Sequence, residues 1–168
     1  MQPIELELAR KQIEFAREYT KLLFADVGSG DWFTCPAGAP THLAWQMGHL
    51  AMAQYGLTLL RVRGKLEEDG KWISNDFMRC FKKGSQPQPD PSQYPDPEVI
   101  RATFDRVYRE SMAALESYRV EDLEETVPMP YAVYANKLGS ILFCPAHEML
   151  HAGQIGLLRR LLGKEPLR

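Results

Sequence analysis

The chain has 168 residues, with Lys+Arg 20 against Asp+Glu 22, a net charge of −2 and three cysteines. A chain of this length buries one core without covalent staples, so a single domain over residues 1–168 is expected. Near-neutral charge without a basic stripe argues against nucleic acid and against an anionic membrane surface. The opening MQPIELELARKQIEF is charged throughout, and no run of about 18 apolar residues occurs, so neither a signal peptide nor a membrane span is expected. Cys35, Cys80 and Cys144 are odd in number, widely spaced and free of any CxxC, which fits a reducing, cytoplasmic setting.

From Pro3 to about Asp26, Ile4, Leu8, Phe15, Tyr19, Leu22 and Leu23 recur at helical spacing, and Pro3 stands where a first helical residue belongs. Gly28, Gly30, Pro36, Gly38 and Pro40 break the pattern, and Thr41 is a good N-cap for a second helix from about His42 to Val62. Residues 64–96 are polar and carry Pro87, Pro89, Pro91 and Pro95. This long connection reads as a surface excursion with a helical turn near Asp76–Phe81. Asp96-Pro97-Glu98 forms an N-terminal signature for a third helix, with Ile100, Phe104, Val107, Tyr108, Met112 and Leu115 as its apolar stripe. A loop containing Pro128 and Pro130 leads to Lys137-Leu138-Gly139 and a fourth helix that runs to Gly163 and Pro166. The fold class is therefore all-α, a four-helix bundle with a long connection between helices 2 and 3. Metal sites in such bundles are assembled from inward side chains on facing helices.

The last helix carries His147-Glu148-Met149-Leu150-His151. Two histidines four apart on a helix lie about 40° apart in rotation and about 6 Å along the axis, so both imidazoles reach one ion. HExxH supplies two ligands and a possible general base, and a third ligand has to come from elsewhere. After His151 the chain reads Ala152-Gly153-Gln154-Ile155, with no further histidine and only Glu165 as a late acid, which weakens a protease reading. The upstream candidates are His42 and His49. His49 is mid-helix among apolar neighbours and is the choice, whereas His42, in a first turn, is expected at the surface.

The segments LAWQMGHLA (Leu43–Ala51) and HEMLHAGQIGLLRRLLG (His147–Gly163) resemble the second-helix and last-helix signatures of the DinB-like (YfiT-like) metalloenzymes. The resemblance covers nearly the whole chain. It implies a four-helix bundle with His49, His147 and His151 as metal ligands. The family includes thiol S-transferases and thiol-dependent isomerases using bacillithiol, mycothiol or glutathione, and members associated with metal-dependent hydrolysis. Pro145 departs from the pattern, because it removes a helical hydrogen bond to the Ile141 carbonyl two residues before the first ligand and invites a kink or a late helix start.

Three imidazoles accept several divalent ions, with zinc or nickel placed first, and they leave an open position for water or substrate. The expected activity is thiol S-transfer, with a low-molecular-weight thiol activated on the metal and a small-molecule electrophile attacked. A hydrolase using metal-bound water and a non-enzymatic metal-binding stress or interaction module are the alternatives. Glu148, about 100° round from His147, is a solvated or supporting carboxylate in the plain reading and a catalytic base in the sharper one. Gln154 is a catalytic helper that holds water or orients a ligand, or else an ordinary bundle hydrogen-bonder. Gly153 and Gly156 are expected to permit close helix contact. Cys144 reads as a buried inert thiol with a fourth-ligand alternative. Arg159 and Arg160 complement the helix end or bind an anion, and Trp45 is a core aromatic or a pocket wall. The resemblance allows a homodimer through an exposed helix face, but no coiled-coil register in the sequence establishes one.

Overall fold

Helical periodicity in the sequence becomes six helices among the described residues. The computed structural model describes residues 4–128 and 133–167, and among these no strand occurs, only an isolated antiparallel bridge between Thr126 and Asn136. The positions of Pro3 and Pro130 lie outside the described residues.

Helix α1 (Ile4–Phe24) buries Leu6, Ala9, Ile13, Ala16, Arg17, Thr20, Leu23 and Phe24. This corrects the apolar stripe read from sequence, because Ile4, Leu8, Phe15 and Leu22 are 55–78 % exposed. The inward face combines Leu6, Ile13, Leu23 and Phe24 with Ala9, Ala16, Thr20 and Arg17, so Leu23 of the expected stripe is kept and the arginine is what hydropathy alone scores as outward. Helix α2 (43–63) is α-helical over Leu43–Gln54, widens to a π-helix over Tyr55–Leu60 and closes at Arg61–Arg63. A π turn redirects backbone carbonyls. Here the Ser140 hydroxyl donates to Leu57 O at 2.8 Å and the Tyr118 hydroxyl donates to Thr58 O at 2.7 Å.

The connection after α2 is structured, not a plain surface excursion. A 3-10 turn (Glu67–Lys71), helix α3 (Asn75–Phe81, capped by the Ser74 hydroxyl) and a second 3-10 turn (Pro91–Gln93) bury Asp69, Ile73, Phe77 and Phe81. Helix α4 (Pro97–Ser117) begins with Pro at N1 and buries Ile100, Phe104, Val107 and Leu115, while Tyr108 and Met112 are half-buried. A short α5 (Val120–Leu123) precedes α6 (Lys137–Leu161), which Asn136 caps through Gly139 N at 2.8 Å. Pro145 lies inside α6, which begins eight residues before it and continues to Leu161, so the helix neither starts nor stops there.

Helix α1 packs along α6, α2 packs along α4, and α2 also contacts α6 and α3. Apolar burial divides into two clusters, one around Leu23, Met47, Phe81, Phe104 and Ile155, the other around Leu6, Ile13, Leu57, Leu115, Ile141 and Cys144. Between them lies a buried polar layer. The guanidinium of Arg17, fully buried, donates to both oxygens of Glu148 (3.0 and 3.2 Å), to Phe104 O (2.9 Å) and to Gln54 Oε1 (2.5 Å). It also sits 3.4 Å from the centre of the Phe104 ring. An isolated buried charge is strongly unfavourable, so these four hydrogen bonds, two of them to a carboxylate, are what allow an arginine inside the core.

Two glycines mark close approaches. A Cβ at Gly48 would lie 2.5 Å from the Phe81 ring, and one at Gly139 would collide with the Tyr134 backbone. At Gly153 and Gly156 a Cβ would meet nothing within 4 Å, so the close helix contact expected at those two positions is absent.

Candidate metal centre

His49 comes from the α-helical part of α2, before the π segment, and His147 and His151 come from successive turns of α6. The helix contact between α2 and α6 brings the three rings together, with centroids 5.3 Å (His49–His147), 4.7 Å (His49–His151) and 4.6 Å (His147–His151) apart. One ligand nitrogen from each lies within 4.8 Å of the other two. Three imidazole nitrogens converging in this way are the donor set of a divalent-ion site.

Ring orientation decides whether a lone pair is available. The Nδ1–H of His49 donates to Phe81 O at 2.8 Å, and because a carbonyl only accepts, His49 keeps its Nε2 unprotonated. That contact depends on α3 pressing against Gly48. His151 Nδ1 lies 2.6 Å from Gln46 Oε1, while Gln46 Nε2 donates to Gln154 Oε1 at 3.1 Å and to Thr41 Oγ1 at 3.3 Å. Trp45 stacks on His49 at 4.6 Å and 10°, with its indole N–H donating to Ser85 Oγ at 2.8 Å. It thus forms one wall of the site.

Burial holds all three imidazoles below their ordinary basicity. His147 falls to about 4 and His151 to about 3, each lowered further by the neighbouring histidines. His49 is lowered as well by burial, partly offset by its hydrogen bond to Phe81 O. Neutral rings are the form that binds metal, so the donor set and its protonation both fit a divalent cation.

The other residues singled out from sequence fall as follows. His42 is fully buried, which corrects the surface placement. It caps α2, its Nδ1 accepting from Trp45 N at 3.1 Å, and its ring meets Tyr94 edge-on at 5.0 Å. Glu148 is buried against Arg17, so it is not a solvated carboxylate. Gln154 is exposed and joined to Gln46. Cys144 is buried in the second apolar cluster, where burial pushes its thiol well above the ordinary value. Arg159 is 1 % exposed and ties α6 to the end of α1 through Leu23 O (2.7 Å) and Asp26. Sequence reading passed over Gln46, Phe81 and Arg17. Gln46, three residues before His49 and therefore on its face of the helix, carried the one legible signal.

The profile of the DinB superfamily matches residues 12–155, most of the chain. The chain belongs to the DinB superfamily. Its DinB fold is also similar to a crystal structure described as the conserved protein of locus from Enterococcus faecalis, with a TM-score of 0.70 at 15% sequence identity over 98% of this chain and 100% of that one. No curated protein matches it. The DinB match spans both His49 and the His147/His151 pair, which lie on helices separated by most of the chain. Among the described residues no helix is long and apolar enough to cross a membrane.

Proposed function

We propose that this DinB-superfamily protein is a four-helix bundle that holds one divalent metal ion through His49, His147 and His151, with zinc or nickel first among candidates, and transfers the sulfur of a low-molecular-weight thiol to a small electrophile. The observation that supports it best is the convergence of three neutral, half-buried to buried imidazoles, one with its lone pair set by a backbone carbonyl. His49, His147 and His151 would hold the ion as neutral ligands, and an ion so held would supply the charge that lets a thiol lose its proton near neutral pH. The reaction balances as sulfur–carbon bond formation with loss of a leaving group, which departs with the bonding pair and receives the thiol proton.

The protein residues divide the remaining work. Trp45 supplies an apolar wall beside His49, and Gln154 offers a polar side chain at the exposed edge. Glu148 keeps its two oxygens on Arg17, which supports a scaffold role in preference to that of a base. Hydrolysis by a metal-bound water is the second reading, favoured by the same charge. The test is elemental analysis of the untagged protein, followed by calorimetric titration of the metal-loaded form with glutathione, cysteine and other small thiols and assay against electrophilic halides and epoxides. Saturable thiol binding with turnover supports transfer. Stoichiometric metal with ester or amide cleavage and no thiol binding moves the assignment to hydrolysis.

A further inference from the structure

We infer that Gln46 is the positioning residue of the triad: its side-chain amide fixes the tautomer and rotation of His151 and sets which way round the Gln154 amide lies. The inference rests on the metal reading above for its consequence, and on hydrogen-bond chemistry for its mechanism. Gln46 is fully buried and its two amide atoms have different partners. Oε1 faces His151 Nδ1 at 2.6 Å, and Nε2 lies 3.1 Å from Gln154 Oε1 and 3.3 Å from Thr41 Oγ1.

An amide oxygen only accepts, so in this arrangement His151 carries its proton on Nδ1 and presents a bare Nε2 to the other two histidines. Both Gln46 N–H bonds are then used, on Gln154 and Thr41. Gln154 in turn accepts at Oε1, which leaves its own NH2 without a partner among the described residues, at a solvent-exposed position one helical turn from His151. The opposite arrangement, with both amides turned over, satisfies the same contacts but requires the His151 proton on Nε2 and closes that ring to metal. Amide orientation and ligand competence are therefore one property. Among the described residues His147 shares no such contact with a side-chain amide, so the control acts on one ligand of the three.

Two variants separate the roles of the amide. Gln46→Glu keeps an acceptor for Nδ1–H and loses the donors, whereas Gln46→Met keeps the volume and loses both. In the metal-free protein, ¹⁵N-histidine NMR should find His151 as the Nδ1–H tautomer in the parent and in Gln46→Glu, and as a mixture in Gln46→Met. Zinc competition against a chromophoric chelator should show affinity about 10–100-fold weaker in Gln46→Met, the usual effect of losing a supporting partner, and largely restored in Gln46→Glu. Circular dichroism and urea midpoints report folding separately. An unchanged tautomer and affinity in Gln46→Met, or a Gln46→Glu variant as weak as Gln46→Met, overturns the assignment. A parent that takes up no zinc overturns the metal reading, and the tautomer measurement still decides the role of Gln46.

Discussion

Arg17 and Glu148 form a fully buried ion pair, Nε to Oε1 at 3.0 Å, that joins α1 to the helix turn carrying His147. The acid of the HExxH motif is thereby held by a residue 131 positions earlier in the chain. Removing one partner strands the other charge in the core, so Arg17→Met and Glu148→Leu are each expected to lose about 3–5 kcal/mol. The double variant Arg17→Met/Glu148→Leu should recover much of that loss. Urea unfolding of the three proteins checks it, and additive losses would show that the two residues act independently.

His42 and His49 differ in tautomer. His42 accepts at Nδ1 from the backbone of Trp45, whereas His49 donates from Nδ1 to Phe81 O. Accordingly His49→Ala, His147→Ala and His151→Ala should each reduce bound metal well below stoichiometry. His42→Ala should keep the metal and lose about 0.5–2 kcal/mol as a missing helix cap. Metal content by mass spectrometry is the readout, and metal lost on His42→Ala alone would contradict it.

The glycines give opposite outcomes. A methyl group at Gly48 displaces the Phe81 ring and with it the carbonyl that orients His49. Overpacking costs about 1–3 kcal/mol and helix propensity returns about 1, so Gly48→Ala should lose up to about 2 kcal/mol and weaken metal binding. Gly153→Ala and Gly156→Ala meet open space and should gain about 0.4–1 kcal/mol each. Thermal melts of the three variants rank them, and a stabilised Gly48→Ala with full metal affinity would refute the contact argument.

Asp69 is a buried acid-sensitive element. Burial raises its pKa, but hydrogen bonds from Arg63 (2.8 and 3.1 Å), Leu66 N (2.9 Å) and the Tyr55 hydroxyl (2.9 Å) outweigh burial and leave it lowered from 3.8. A carboxylate with a depressed folded pKa contributes stability that is complete above the unfolded value and is withdrawn as pH falls through the folded one. Stability should therefore begin to fall below pH 3.8 and continue downward through the lowered value. Asp69→Asn should flatten that limb and cost roughly 1.5–3 kcal/mol at neutral pH. Urea midpoints between pH 2 and 6 for the two proteins provide the check.

The sequence by itself determined the all-α class, the helix at 97–117 and the placement of HExxH on a long final helix, because these follow from periodicity, capping and proline rules that act within a few residues. It also singled out His49 over His42, since a mid-helix histidine among apolar neighbours differs locally from one in a first turn. Only the tertiary structure decided which face of α1 turns inward, since Arg17 is buried by a partner on a distant helix and no local pattern announces that. The same holds for the supports of the triad. Phe81 O reaches His49 because α3 folds back onto Gly48, and Gln46 reaches His151 because α2 crosses α6. Local residue spacing selects which side chains share a helix face, while hydrogen bonds that fix a ring's proton depend on contacts closed across 32 to 105 residues of chain.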